Sequence, residues 1–251
     1  MIHITFADRF YFAAANTLSS SMAKFDISTS IFTPFAIGEE FKRKNFQILQ
    51  EEKGAGLWLW KPYFIKLTLQ SLEDGQILFY TDAGCEVISD PRNLITILND
   101  SDIGLFELTN IQEKFYTKSN VINHFELSQD QCNAPMRLAS FLLFRKSCQS
   151  ISFVNEWLEI CKKKFLLDDS LRNEIQGFVD HRHDQSILSC LSKIRNIQAH
   201  RDPSQYGNDF INEYPDDAYE EIINHTRSNN LTFYRSFKKS ILPKINFLKS
   251  K

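Results

Sequence analysis

Hydrophobic and polar positions along the chain form short blocks that predict strands and helices in turn. Residues 2–6 alternate as a strand does, and residues 10–25 carry apolar and small side chains at helical spacing. Residues 30–35 form a second β-prone run that includes a proline, and the charged residues 39–52 indicate an exposed helix. The glycine-containing residues 53–56 are predicted to break that helix.

The clearest strand follows a helix that apolar periodicity predicts to end near Leu72. Residues 76–80 are continuously apolar, which is typical of a strand covered on both faces in a parallel sheet. Strand-like and helical segments continue to alternate as far as about residue 195. We therefore predict an α/β fold, a single Rossmann-like domain with a mixed, mainly parallel central sheet flanked by helices.

The C-terminal residues have a different composition. Residues 226–251 contain seven lysines and arginines, no acidic residue and many interleaved aromatic and aliphatic side chains. This composition suits a basic, aromatic tail that lies on an anionic membrane surface, and a solvated helix covering the core is the alternative. We predict one domain over residues 1–225, followed by this tail.

Charge and cysteine content exclude several classes of protein. The formal net charge of −2 at pH 7 gives no support for a nucleic-acid partner. The N-terminus has no basic segment and no long apolar stretch, so we expect a cytoplasmic protein whose tail can contact the inner face of the plasma membrane. The five cysteines include no Cys-X-X-Cys pair, which argues against a disulfide framework and a zinc ribbon.

Asp82 is the first candidate for chemistry. Ligands of open α/β sheets bind beyond the carboxyl ends of strands, and Asp82 follows the apolar strand at residues 76–80. A carboxylate there can hold a divalent cation that bridges the phosphates of a nucleotide-sugar, and Gly84 would let the backbone approach the ligand. The alternative is an aspartate that only caps a turn.

The second candidate is a polar segment at residues 180–186. Two histidines, an arginine and two aspartates lie within five residues, and burying them all without partners would be unfavourable. We therefore expect the segment to face a cleft, where Asp184 would act as a base or stabilise positive charge on a reacting sugar. Arg182 or His183 would support phosphate, and an exposed helix cap is the alternative.

Two smaller groups could assist. Trp58 and Trp60 precede a helix, and we expect one of them to belong to the core while Lys61 pairs with phosphate. Near the tail, His225 would supply a neutral imidazole to a metal, and Arg227 would supply a guanidinium to an oxygen.

Together these segments resemble the GT-A-fold glycosyltransferases of bacterial capsule, O-antigen and lipopolysaccharide assembly. The similarity rests, in chain order, on residues 54–63 (GAGLWLWKPY), 74–85 (DGQILFYTDAGC), 116–118 (YTK), 139–146 (ASFLLFRK), 181–186 (HRHDQS) and 225–227 (HTR). The resemblance implies a GT-A domain that transfers a sugar from a nucleotide-diphosphate-sugar donor to a glycan or lipid-linked acceptor.

The resemblance also implies a set of site residues. It places a divalent cation, Mn²⁺ or Mg²⁺, near Asp82 and the catalytic region at Asp184 and Gln185. The Asp-Gln pair is similar to that of glycogenin-like retaining transferases, in which a final histidine helps to hold the metal, and His225 is our candidate for that position. Gly84 stands where the family's Asp-X-Asp metal motif has its second acid.

The complete prediction assigns catalysis to Asp184 and Gln185 and metal binding to Asp82 and His225. The predicted donor-binding residues are Asp8, Arg9, Lys61, Asp82, Ala83, Gly84, Lys118, Arg182, His183 and Arg227. One alternative is a metal-dependent phosphoesterase or nuclease whose ligands are His181, His183, Asp184 and Asp82. Another is a non-catalytic nucleotide-sugar-binding protein of a polysaccharide assembly complex. The transferase hypothesis requires the Asp82 turn and residues 181–185 to meet at one cleft.

Overall fold

The computed structural model describes residues 1–171 and 173–226. Arg227 and all of the predicted basic tail beyond Thr226 lie outside the described residues. Within the described part of the chain, no helix is long and apolar enough to cross a membrane. All five cysteines are free thiols.

Six strands form the central sheet, and two more form a small second sheet. In chain order the strands are β1 (Ile2–Phe6), β2 (Thr29–Phe32), β3 (Ile77–Thr81), β4 (Glu86–Val87), β5 (Ile103–Gln112), β6 (Pro135–Arg145), β7 (Ala199–Arg201) and β8 (Ile223–Asn224). The central order is β2-β1-β3-β6-β5-β7, and β4 pairs with β8. Strand β6 runs antiparallel to β3 and β5, while the other three pairs of the central sheet are parallel. The predicted mixed, mainly parallel α/β sheet is confirmed.

Helices cover the sheet. They are α1 (Phe12–Ala23), α2 (Glu39–Lys44), α3 (Phe46–Leu49), α4 (Trp60–Ser71), α5 (Glu113–Tyr116), α6 (Ser119–His124), α7 (Gln129–Asn133), α8 (Cys148–Cys161), α9 (Lys164–Leu167) and α10 (Asp184–Ile194). Segments of 3₁₀ helix lie at Pro34–Ala36, Pro91–Leu98 and Gln205–Glu213. The single helix predicted over residues 39–52 is instead divided into α2 and α3, because Asn45 between them has a non-helical φ of −117°.

Strands β3 and β6 separate two hydrophobic cores. Leu78 and Tyr80 of β3 pack in the core that includes the buried faces of α4, α8 and α10. Phe79, between them, belongs to the other core, with Leu18 of α1 and Val87 of the small sheet. Successive strand side chains point to opposite faces, so a strand with a core on each side is apolar throughout.

The break after α3 is a turn of left-handed helix, Gly54–Leu57, that continues into Trp58. These five residues have φ values between 51° and 99°. Left-handed winding costs about 1–2 kcal/mol per residue with a Cβ atom, and glycine avoids most of that cost. A Cβ added to Gly54 would lie only 2.4 Å from the Trp58 indole. The Trp60 indole N–H donates to the Gly54 carbonyl at 2.8 Å, which ties the turn to the start of α4.

A buried ion pair fixes α10 against α5. The Glu113 carboxylate is fully buried and lies 2.8 Å from the Lys193 Nζ. It also accepts hydrogen bonds from the hydroxyls of Thr117, at 2.5 Å, and Ser189, and from the Cys190 thiol at 3.7 Å. Because α10 also carries Asp184 and Gln185 at its start, this pair holds the helix that presents the predicted catalytic residues.

Replacing Lys193 with methionine should strongly destabilise the protein. The Glu113 carboxylate would remain buried without its positive partner, and loss of one member of such a pair lowers the free energy of unfolding by about 3–5 kcal/mol. Urea unfolding measures the change. As a control, Lys44→Met removes the exposed Glu40–Lys44 pair and should leave the midpoint unchanged. Equal midpoints for the two variants would show that the buried pair does not hold α10.

Candidate active site

A cleft of about 890 Å³ opens where β1 and β3 end. Asp8, just after β1, and Asp82, just after β3, both line it. Strand β1 lies between β2 and β3 and is parallel to both. The chain therefore continues towards one edge of the sheet after β1 and towards the other edge after β3. Ligands of α/β sheets bind at such a point. The volume lies within the range of about 300–1,000 Å³ that is usual for small-molecule pockets.

Lys61 joins the two segments that the sequence singled out. Its Nζ lies 3.2 Å from Asp82 Oδ1 and 3.2 Å from Asp184 Oδ2, and it donates to the carbonyl of Ala139 at 3.1 Å. Lys61 and Asp184 are each 3% exposed. The contact between Lys61 and Asp184 is an ion pair but not a hydrogen bond, because its angles at Oδ2 are unfavourable. The Asp82 turn and the start of α10 therefore meet at one buried ammonium group.

The charges of this cluster are strongly coupled. Burial alone would lower the pKa of Lys61, but the carboxylates of Asp184 and Asp82 outweigh it and raise that pKa. Burial works against ionisation of Asp82, yet Lys61 and a 2.5 Å hydrogen bond from the Tyr80 hydroxyl lower the pKa of Asp82. Burial raises the pKa of Asp184 to about 6, with Lys61 opposing the shift. Asp82 therefore carries the more persistent negative charge.

Gln185 is the member of the predicted catalytic pair that reaches the cleft. It lines the cleft with Arg182, whereas Asp184 lies beneath, next to Lys61. The Gln185 Oε1 accepts a hydrogen bond from the Ala139 N–H at 3.3 Å. His183, at the start of the helix, has the unusual backbone angles φ 49° and ψ −117°. Strained backbone of this kind often marks functional sites.

The two histidines of the polar segment do not face the cleft, so the expectation that the whole segment does so is wrong. Ring nitrogens of His181 and His183 lie 3.0 and 2.7 Å from the carbonyls of Leu166 and Leu167. Burial lowers the pKa of both imidazoles. A neutral ring with one nitrogen bonded to a main-chain carbonyl is less costly to bury than a charged one, which is how the fold accommodates this polar sequence.

Other predicted donor-binding residues have mixed positions. Ala83 and Gly84 line the cleft, and Arg9 lies beside it with its guanidinium 4.5 Å from the centre of the Phe10 ring. Lys118 is fully buried away from the cleft, where its Nζ lies 2.9 Å from a carboxylate oxygen of Asp168. Lys118 therefore forms an ion pair with Asp168 and does not lie at the candidate site.

The tryptophans form part of the cleft wall. Trp60 is 5% exposed and stacks on Phe6 with ring centres 3.8 Å apart, as expected for a core residue. Trp58 lies against the His183 ring at 5.0 Å. Both tryptophans line the cleft, so the left-handed turn and the start of α10 form a continuous rim.

His225 reaches the cleft through contacts that the sequence did not reveal. The Gln205 side chain accepts from the His225 N–H at 2.9 Å and donates to the His225 carbonyl at 3.2 Å. The Thr226 hydroxyl donates to the Gly84 carbonyl at 3.0 Å. Asp202, which follows β7 and is 4% exposed, also lines the cleft. A three-residue strand is too short for periodicity to mark its end, so sequence reasoning missed Asp202 and Gln205.

A resident metal would find few protein ligands. Within residues 1–171 and 173–226, no three His, Cys, Asp or Glu side chains are grouped to hold a metal ion. Asp82 and His225 both line the cleft, and the charge of His225 helps to lower the pKa of Asp82. Mg²⁺ is commonly held by one or two carboxylates together with substrate phosphates. The pair therefore suits a cation that arrives with a diphosphate.

The fold is shared with glycosyltransferases. Galactosyltransferase LgtC, solved with donor and acceptor sugar analogues, matches with a TM-score of 0.50 and 14% identity over 90% of this chain and 86% of its own. Mouse xyloside xylosyltransferase 1, in the apo form, matches with a TM-score of 0.51 and 9% identity over 89% of this chain and 96% of its own. No protein-family model and no curated protein matches the sequence. The comparison confirms the predicted GT-A fold.

Asp184 should make stability depend on pH. Its pKa is about 6 in the folded protein and about 4 in an unfolded chain, so the folded state keeps a proton that the unfolded state loses. The free energy of unfolding of the wild type should therefore fall, relative to that of Asp184→Asn, as the pH rises from about 4 to about 6. Urea unfolding of both proteins across this window measures the difference. Asp180→Asn, at a half-exposed site, is the control, and parallel profiles for Asp184→Asn and wild type would refute the assignment.

Proposed function

We propose that this protein is a glycosyltransferase that moves a sugar from a nucleotide-diphosphate-sugar to a glycan or lipid-linked glycan acceptor. The observation that carries the proposal is the meeting of Asp82 and Asp184 on the Lys61 ammonium beneath a cleft at the ends of β1 and β3. The fold shared with a galactosyltransferase and a xylosyltransferase supports it.

The extent of the cleft favours a long, two-part ligand. It reaches from Asp8 beyond β1 to residues 107–111 at the end of β5. Strands β3 and β6 lie between, so these ends are three strand spacings apart, or about 14 Å. Phe6 and Tyr11 offer aromatic surface at the β1 end, where a nucleotide base can pack.

The reaction would exchange one bond to the sugar for another. The bond from the anomeric carbon to the diphosphate oxygen breaks, a bond to an acceptor hydroxyl oxygen forms, and the hydroxyl proton passes to the released diphosphate. Arg182 lines the cleft with its guanidinium 5.1 Å from the centre of the Tyr116 ring, and Lys61 lies beneath the cleft. Positive groups held in place stabilise the charge that develops on a leaving diphosphate. In this arrangement Gln185 contacts the sugar and Asp184 positions Lys61.

We also propose a divalent cation, Mn²⁺ or Mg²⁺, held by Asp82 and His225 when the donor is bound. Such a cation neutralises charge on a diphosphate leaving group. Asp82 is suited to this because its lowered pKa keeps the carboxylate ionised. Asp8, Ala83 and Gly84 complete the donor side of the cleft.

The biological setting that we propose is bacterial surface polysaccharide synthesis at the cytoplasmic face of the membrane. It is supported by the sequence resemblance to capsule, O-antigen and lipopolysaccharide enzymes. The basic composition of residues 226–251 would favour contact with anionic lipids and would place the cleft near a lipid-linked acceptor.

The phosphoesterase or nuclease alternative has less support. It requires His181 and His183 as metal ligands, but both rings are buried and bonded to the main chain of α9. A non-catalytic protein would bind the donor without turning it over. Turnover by a transferase would instead depend on the residues beneath the cleft.

Asp184→Asn should retain donor binding and lose transfer. The amide keeps the size of the carboxylate but removes a charge next to Lys61, so we expect kcat to fall by about 10²–10⁴. Donor affinity is measured by calorimetry, and transfer is measured by release of nucleoside diphosphate. Asp130→Asn, at an exposed site outside the cleft, is the matched control. Near-normal turnover of Asp184→Asn would exclude this residue from the chemistry and favour a binding protein.

Asp82→Ala should abolish the effect of metal on donor binding. A ligand that binds only the folded state raises the melting temperature, so nucleotide-sugars can be screened by thermal shift with and without Mn²⁺ or Mg²⁺. We expect one uridine or guanosine diphosphate sugar to stabilise the wild type, and metal to increase that shift in the wild type alone. A metal-enhanced shift that persists in Asp82→Ala would show that the cation lies elsewhere.

A further inference from the structure

The far end of the cleft is built from two elements that lie side by side. The Tyr214 hydroxyl, just after the 3₁₀ helix Gln205–Glu213, donates to Glu107 Oε1 at 2.6 Å and lies 3.3 Å from the Thr109 hydroxyl. At the other end of this helix, Gly207 lies so close to the Asp202 carbonyl that an added Cβ would be 1.9 Å from its oxygen. We call the end of β5, residues 107–111, and this helix the β5 wall.

The β5 wall lies on the opposite side of the reaction centre from Asp8. The ring of Tyr206 in the wall is 6.1 Å from the ring of His225, centre to centre. His225 in turn lines the cleft with Asp82, and the adjacent Thr226 donates to the carbonyl of Gly84 in the Asp82 turn. A donor with its diphosphate at Asp82 and its nucleotide towards β1 would therefore present its sugar to the β5 wall. A second substrate must approach from that wall.

The wall has the surface chemistry of a sugar-binding site. Tyr206 is 48% exposed, and Phe210 also lines the cleft, so two aromatic side chains are available to pack against a sugar ring. Thr109, Asn110 and Asp209 provide polar groups for hydroxyls. Aromatic surface with a few hydrogen-bonding groups is the usual composition of a small-molecule subsite.

The charge of the wall restricts what can bind there. Glu107 and Asp209 of the wall are acidic, as is Asp202 beside it, and within the described residues no lysine or arginine of the wall lines the cleft. Arg137 is paired with Glu107, and Arg201 is buried with its guanidinium donating to the carbonyls of Gly207 and Tyr219. A bound carboxylate or phosphate would meet the exposed Asp209 carboxylate, and no lysine or arginine among the described residues of the wall would offset it, so such a contact would be strongly unfavourable.

We propose that the β5 wall is the acceptor subsite and that it selects an uncharged sugar over a sugar that carries a carboxylate or a phosphate. The inference rests on the proposed glycosyltransferase function, which it extends by assigning the acceptor class. It also divides the cleft by charge, since the basic groups Arg182 and Lys61 serve the diphosphate and the acidic wall serves the acceptor.

Acceptor assays with matched sugars test the proposal. Methyl glycosides of glucose, galactose and N-acetylglucosamine are compared with methyl glucuronide, methyl galacturonide and glucose 6-phosphate, each with the donor that the thermal-shift screen identifies. Release of nucleoside diphosphate is measured with and without acceptor, so that transfer is separated from donor hydrolysis. We expect at least one uncharged glycoside to accelerate release and every anionic sugar to react at least about tenfold more slowly than its uncharged parent.

Variants of the wall give a second readout. Tyr206→Ala should lower the ratio of transfer to hydrolysis about tenfold, because packing against the acceptor ring is lost. Asp209→Lys should raise the relative rate with the uronides, because it adds a positive group to the wall. Phe35→Ala, at an exposed phenylalanine outside the cleft, is the control and should change neither ratio.

The possible failures are distinguishable. Anionic acceptors that react as fast as their uncharged parents would overturn the proposal, as would donor hydrolysis that no uncharged glycoside accelerates. An unchanged transfer ratio in Tyr206→Ala would remove the β5 wall from acceptor binding. A wild-type protein that neither hydrolyses nor transfers from any nucleotide-sugar would instead contradict the proposed function, and the acceptor assignment with it.

Discussion

A buried ammonium group is stable only when negative charge lies next to it, and this constraint shapes the centre of the molecule. Lys61 comes from α4, Asp82 from the end of β3 and Asp184 from the start of α10, so a single cation joins three elements that are distant in sequence. Removing either carboxylate would take away one of the two negative groups that stabilise the buried Lys61 ammonium. The same contacts that hold Lys61, Asp82 and Asp184 beneath the cleft therefore also hold these three elements together.

Features that depend on neighbouring residues were predictable from the sequence. The alternation of residues 2–6 and the apolar run at 76–80 predict two central strands, because the order of apolar and polar residues in a strand shows which of its faces are buried. The position of Asp82 at a strand end followed from the second of these runs. The transferase hypothesis predicts the meeting of Asp82 with the 181–185 segment, but the sequence predicts that Lys61, the side chain that joins them, pairs with phosphate.

Features that depend on distant partners were not predictable. No local pattern shows that β6 enters the sheet antiparallel between β3 and β5, since pairing direction is set by the connections and not by side-chain period. His181 and His183 illustrate a second limit. Their polarity suggests an exposed site, but both rings are buried, each with one nitrogen within hydrogen-bond distance of a carbonyl group of α9. Asp202 and Gln205 became visible only when β7 and the following 3₁₀ helix were placed beside the cleft.

The left-handed turn Gly54–Leu57 has a consequence for how the cleft can change shape. Its φ values and those of an ordinary helix are separated by conformations that steric overlap forbids, so no series of small adjustments leads from one to the other. The rim that carries Trp58 therefore cannot be rewound as an ordinary right-handed helix by small changes of its backbone angles.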